Sequence, residues 1–203
     1  MNRMILVFMF GAAAYGAAFA VSPEDSLKAG LEYYVLAQED PEGYLERAKE
    51  ILGPLSETLP LAKAYYGCLR TIEAGVYADK KRLIKAMSLL KEGASLMDEA
   101  VLSAPDLVKI RFIRLVNSYD VSSSSPINRD KTMKEDLLWL EAREDRLVSK
   151  DRGTFQLYKG LYHQRIRRPL EARAAFQACV NVSPGSPEAA EAEKRLAALE
   201  KKK

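Results

Sequence analysis

Apolar residues return at helical spacing along most of this chain. Around its centre, Val108, Phe112, Leu115 and Tyr119 recur every three or four positions, and the Leu107-Val108 and Leu115-Val116 pairs fall inside the same period. No stretch alternates apolar and polar residues between Asn-Gly or Asp-Gly turns, and long β-branched clusters are missing. The pattern predicts an all-α protein.

Helix-start and helix-stop residues divide the pattern into nine helices. Ser22-Pro23-Glu24-Asp25 reads as an N-cap, a first-turn proline and first-turn acids, opening a helix that runs to about Gln38. Asp40-Pro41-Glu42 repeats that signal, and Gly53-Pro54 closes the second helix. The third runs from about Pro60 to Gly75, and Asp79 is expected to cap a long fourth that reaches Ser103 before Pro105. A fifth is predicted from Asp106 to about Ser118. The serine-rich stretch from Tyr119 to Asn128 reads as a loop, and Asp130 is expected to cap a sixth helix ending near Ser149. The seventh and eighth are separated by Arg167-Arg168-Pro169, and Ser186-Pro187-Glu188 starts a charged ninth.

Residues 153–186 add a second, longer period. Gly160, His163, Ala172, Phe176, Cys179 and Pro184 fall at offsets 8, 11, 20, 24, 27 and 32 of a 34-residue unit. That frame resembles the tetratricopeptide repeat: a small residue where two helices cross, small–aromatic–small on the partner helix, then a terminating proline. The resemblance is fair over residues 60–106. There Gly67 is the expected crossing residue, and Gly93, Met97, Ala100 and Pro105 repeat the second-helix offsets. The interval from Gly67 to Gly93 is fourteen residues too long, which predicts an extended fourth helix. Elsewhere the match is weak: Gly30 and Tyr33 fit the first pair, but Tyr44, Ala48 and Ile51 require an insertion. The resemblance implies an antiparallel helix-pair solenoid of about four pairs, starting near Pro23, Pro60, Pro105 and Gly153, with a C-terminal capping helix. The alternative is an irregular helical bundle.

The N-terminus has a different character. Arg3, the uncharged run Met4 to Ala20 and the Ala18-Phe19-Ala20 sequence form the layout of a secretory signal peptide, so residues 1–20 are expected to be a leader and residues 21–203 the domain. Because this leader is short and alanine-rich, the protein is expected to be periplasmic or secreted. An uncleaved N-terminal membrane anchor is the alternative, and the only expected contact with a membrane.

The formal net charge of the whole chain is +3, and charges of both signs are interspersed, so no basic face for nucleic acid is expected. Cys68 and Cys179 lie two repeat units apart and are expected to be free thiols, the latter filling a small apolar position. The lone histidine, His163, reads as a packing residue because no second ligand sits at metal spacing. Gly-x-Ser-x-Gly, phosphate-loop and His-Glu-x-x-His motifs are absent, and no cofactor is expected. Glu135, Asp136, Glu141, Glu144 and Asp145 alternate with Lys134, Arg143 and Arg146, which predicts a solvated, salt-laced face on the sixth helix.

These observations favour binding over catalysis. In tetratricopeptide proteins the first helix of each pair lines the concave groove. By that resemblance Tyr66 and Arg70 on the third helix, Arg111, Arg114 and Asn117 on the fifth, and Gln164 and Arg165 on the seventh are candidate partner-binding residues. Arg111 and Arg114 share a helix face and could clamp a partner's carboxylate. In the alternative reading they pair with acids of a neighbouring helix. The expected function is a non-catalytic scaffold that binds a protein or peptide in the cell envelope. An accessory component of an envelope transporter or outer-membrane assembly machine is one alternative. An enzyme using groove carboxylates is another.

Overall fold

The computed structural model describes residues 22–201. The expected leader and its expected cleavage site lie outside them. The described residues form nine α-helices and one short 3₁₀ turn, with no strand: α1 (Pro23–Glu39), α2 (Pro41–Ser56), α3 (Pro60–Asp79), α4 (Leu83–Ser103), α5 (Val108–Ser124), α6 (Asp130–Glu141), the 3₁₀ turn Glu144–Arg146, α7 (Ser149–Arg165), α8 (Pro169–Val182) and α9 (Pro187–Glu200). Among them, no helix is long and apolar enough to cross a membrane. The caps anticipated from composition form at three starts. Ser22, Asp40 and Ser186 accept the backbone N–H groups of Asp25, Gly43 and Ala189, each with proline at the first helical position.

Several boundaries differ from the expected ones, each for a local reason. Pro54 does not end α2 but occupies its last turn, where the Ser56 hydroxyl donates to the Gly53 carbonyl (2.6 Å) and helps satisfy the free helix end. Asp79 is the last residue of α3 rather than a cap. The tight turn after it uses Lys81 at φ 59°, and α4 begins at Leu83 without a side-chain cap. The fourteen surplus residues are therefore shared between α3 and α4, and both helices extend past their crossing. The tip of this hairpin leaves Leu83 and Ile84 exposed among Lys81, Arg82 and Lys85.

The serine stretch is not a loop throughout. Helix α5 continues to Ser124, because Val121 and Ser122 are buried in the packing. The hydroxyls of Ser124 and Ser125 bond back to the carbonyls of Asp120 and Val121 (both 2.7 Å), and Ser122 accepts the Arg129 N–H (2.8 Å). Helix α6 stops at Glu141 rather than Ser149. Leu147 must turn back into the core, where it is buried beside Phe155 and Leu140.

Packing follows the chain order. The helices pair as α1/α2, α3/α4, α5/α6 and α7/α8, and α9 lies against α8 and α7. The first helices of successive pairs also touch one another, so α1, α3, α5, α7 and α9 make a continuous wall. The protein is an all-α helix-pair solenoid. Three of the pairs cross at glycine. A methyl group on Gly30 would meet Leu52 Cδ2 at 2.6 Å, one on Gly93 would meet the Gly67 carbonyl oxygen at 2.5 Å, and one on Gly160 would meet the Phe176 ring at 2.5 Å. Ala48, Leu52, Ala172, Phe176 and Cys179 are fully buried on the partner helices. Burying a side chain of Phe176's size contributes roughly 1.5–3 kcal/mol relative to exposure. Helix α9 buries Ala189 and Ala192 and turns Glu193, Lys194 and Glu200 outward, covering the last apolar surface. Cys68 and Cys179 are both free and buried.

Candidate functional site

The third pair crosses without a glycine. Ion pairs hold it instead, and these contain two of the residues anticipated as groove arginines. Arg114 forks onto Asp136 through Nε (2.8 Å to Oδ2) and Nη2 (2.7 Å to Oδ1), and its Nη1 donates to Asp98 (3.0 Å). Arg111 donates to Asp136 and Glu135 (3.2 Å each) and to the Pro105 carbonyl (3.1 Å), with its guanidinium 4.7 Å from the Trp139 ring centre. Arg129 forks onto Asp98 at 2.8 and 2.7 Å. Three guanidiniums thus meet three carboxylates from α4 and α6, and Asp136 has no exposed surface.

Burial disfavours the charged form of Arg114, but Asp136, Asp98 and Glu135 outweigh it and its pKa rises. Burial likewise opposes ionisation of Asp98, and the Arg129 and Arg114 charges reverse that and pull its carboxyl below the ordinary value. At Asp136, which is enclosed completely, desolvation wins and the carboxyl moves up. This cluster ties α4, α5 and α6 together. Neither Arg111 nor Arg114 is free for a partner's carboxylate, so the structure has the alternative arrangement, pairing with acids of neighbouring helices. The expected solvated face of α6 is likewise a packing face at Asp136, while Glu141 pairs across to Lys159 of α7 (2.6 Å).

The other candidates are dispersed. Arg70 spans Glu73 and Glu92, tying α3 to α4. Tyr66 is half-buried and packs beside Gly53 of α2. Gln164 accepts from Arg195 of α9 (3.3 Å), and Arg165 donates to Asp130 of α6 (2.7 Å). Asn117 alone faces the first-helix wall. Its amide donates to Thr71 Oγ1 (2.8 Å) and so ties α5 to α3.

Along that wall runs a groove with a cavity of about 380 Å³. Its lining comes mainly from the first helices: Tyr34 and Gln38 of α1, Tyr65 and Thr71 of α3, Lys109, Phe112, Asn117 and Asp120 of α5, and Thr154 of α7. Tyr34, Tyr65 and Phe112 are the aromatic residues of the lining. Tyr34 and Tyr65 meet edge to face at 5.0 Å, and Gln38 donates to the Tyr34 hydroxyl (3.0 Å). Lys109 bonds Asp151 (2.7 Å) with its ammonium 5.1 Å from the Phe112 ring centre. Cys68 lies beneath the tyrosines. Burial pushes its thiol up to about 12, which makes it a poor nucleophile.

Asp120 is the one carboxylate among the lining residues. The Tyr158 hydroxyl donates to it, at 3.2 and 3.4 Å from the two oxygens, and Tyr158 in turn stands edge-on to Tyr119 at 5.4 Å. Solvent reaches Asp120, yet the surrounding wall removes enough of its hydration to raise its carboxyl to about 6, against the pull of the Tyr158 hydroxyl. Tyr34 and Cys68 line the same cavity, and burial first of all raises the phenol of one and the thiol of the other, with the Asp120 charge a minor addition.

Sequence reasoning missed Asp120 because residues 119–128 read as a loop. The signal was present as a second stripe on α5: Lys109, Phe112, Asn117 and Asp120 step by three to five positions along one side of the helix. His163 is half-buried and packs on Tyr162, and burial lowers its pKa. Among the described residues no cluster of His, Cys, Asp or Glu has metal-binding geometry. Comparison with protein-family models, with curated proteins and with solved structures finds no match.

Proposed function

We propose that this is an exported, tetratricopeptide-like binding protein that holds an extended segment of a protein partner in the groove of α1, α3, α5 and α7. One observation carries this reading: the groove's surface is assembled from the first helices of four successive pairs, so it is long, open and built of side chains rather than loops. Rings of Tyr34 and Tyr65 supply apolar area with little loss of side-chain freedom, and Gln38 and Asn117 supply amides that suit a peptide backbone. The leader motif of residues 1–20 supports an envelope address for this binding.

A photoreactive amino acid placed at Gln38 or Ser124, at two separated points of the groove, tests the proposal in the protein's native cells. Both positions are expected to crosslink to neighbouring residues of one segment of one partner, identified by mass spectrometry. A third probe at Glu50, on the exposed face of α2, is expected to leave that segment unlabelled. Labelling from Glu50 equal to that from the groove, or unrelated products from Gln38 and Ser124, overturns the reading.

A further inference from the structure

Among the described residues, the buried carboxylates have cationic partners: Asp136 holds Arg114, Glu73 holds Arg70 and Lys49, and Asp151 holds Lys109. Asp120, which opens to solvent at the cavity, has none. Among the described residues no lysine or arginine pairs with it, and its one side-chain partner is a neutral hydroxyl shared between its two oxygens. The cation that lines the same cavity, Lys109, is eleven positions away, about 16 Å along the helix, and is engaged by Asp151.

Resting on the groove reading above, we infer that Asp120 is a cation-recognition point: the segment held in the groove presents a lysine or arginine side chain, whose charged end bonds the Asp120 carboxylate within the tyrosine-lined cavity. Three properties of the site fit that ligand. The carboxylate keeps acceptor positions unused by Tyr158, enough for an ammonium or for one arm of a guanidinium. Tyr34 and Tyr65 line the same cavity, and aromatic rings attract cations. The partial desolvation that pushes the carboxyl up to about 6 also weakens water's competition, so an arriving positive charge relieves the cost of keeping Asp120 ionised. A divalent metal fits less well, since a single carboxylate without further acidic or histidine ligands offers it too few oxygens.

The test uses random decapeptides displayed on phage and selected against the immobilised full domain at pH 7.5. Wild type is expected to enrich peptides sharing one lysine or arginine beside apolar residues. Asp120→Asn is expected to lose that requirement, and Asp120→Lys to select an acidic residue in its place. For the best synthetic peptide, exchanging the basic residue for norleucine is expected to weaken binding to wild type roughly tenfold or more, and to Asp120→Asn by less than about twofold. Circular dichroism establishes that each variant is folded. Peptides enriched without a basic residue, or an equal norleucine loss on both proteins, overturn the cation inference and leave the groove reading standing. Failure to enrich any peptide that Gln38 or Ser124 crosslinks overturns the groove reading and the inference with it.

Discussion

The crossing of α3 and α4 makes a sharp claim about two glycines. Alanine is the better helix former by about 1 kcal/mol, so in an open helix Gly→Ala stabilises. Gly75 is in such a place: it is exposed on α3, and a methyl group there has nothing within 4 Å. Gly93, on the partner helix, is not. Its methyl would sit 2.5 Å from the Gly67 carbonyl oxygen, 2.9 Å from Thr71 Cγ2 and 3.4 Å from Arg70 Cβ. A carbon–oxygen contact needs at least about 3.3 Å, and the obstructing atom is backbone, so the helices must separate by most of an ångström. Overpacking of this kind typically costs 1–3 kcal/mol, and a backbone obstruction belongs at the upper end. Net of the propensity gain, Gly93→Ala is expected to destabilise by about 2 kcal/mol, while Gly75→Ala stabilises by roughly 0.5–1 kcal/mol. At about 2–4 °C per kcal/mol for a chain of this size, the two variants separate by about 5–12 °C in Tm. Urea and thermal unfolding followed at 222 nm measure both. If Gly93→Ala proves as stable as Gly75→Ala, the close crossing does not exist and the pairing of the extended hairpin is wrong.

Other consequences are as direct. Asp136→Ala removes the fully buried acceptor that Arg114 and Arg111 share, leaving them Asp98, Glu135 and the Pro105 carbonyl, and is expected to cost about 2–3 kcal/mol in urea unfolding. Glu50→Ala, which removes an exposed pair with Arg47, is expected to change stability by less than about 0.5 kcal/mol; equal effects would show that the α5–α6 cluster is not buried. Phe176→Ala, opposite Gly160, is expected to lose about 3–5 kcal/mol in the same assay, and a loss under 1 kcal/mol would refute the α7–α8 contact. Asp120 has a pH signature. Its folded pKa is raised, so the unfolded chain releases this proton first and native stability declines as pH climbs from about 4 to about 6. The groups facing it, Tyr34, Cys68 and Tyr158, have their pKa values pushed upward, away from that window. Asp120→Asn is therefore expected to raise Tm at pH 7.5 and to converge with wild type below about pH 4. A pH-independent difference, or a less stable variant at pH 7.5, refutes it.

The periodic and capped parts of this protein were legible before any coordinates. A helix start is a local event: Ser22, Asp40 and Ser186 cap their own helices, and the prolines after them need no distant neighbour. The glycine–aromatic spacing of Gly160 and Phe176 is nearly as local, because two helices joined by a short turn meet where their small residues allow.

What depended on a third or fourth helix was decided only by the tertiary structure. Serines 122–125 are poor helix formers whose hydroxyls compete for the backbone, but here Val121 and Ser122 are buried against the packed helices, so the turn survives. That extra turn carries Asp120 into the groove. Arg111 and Arg114 carry full charges, and from composition either solvent or a partner could have satisfied them. Only the arrival of Asp136 and Glu135 from α6 and Asp98 from α4 settled that they face inward. A charge's partner is a matter of distance in space, and residues sixteen to twenty-five positions apart acquire that distance only when the helices pack.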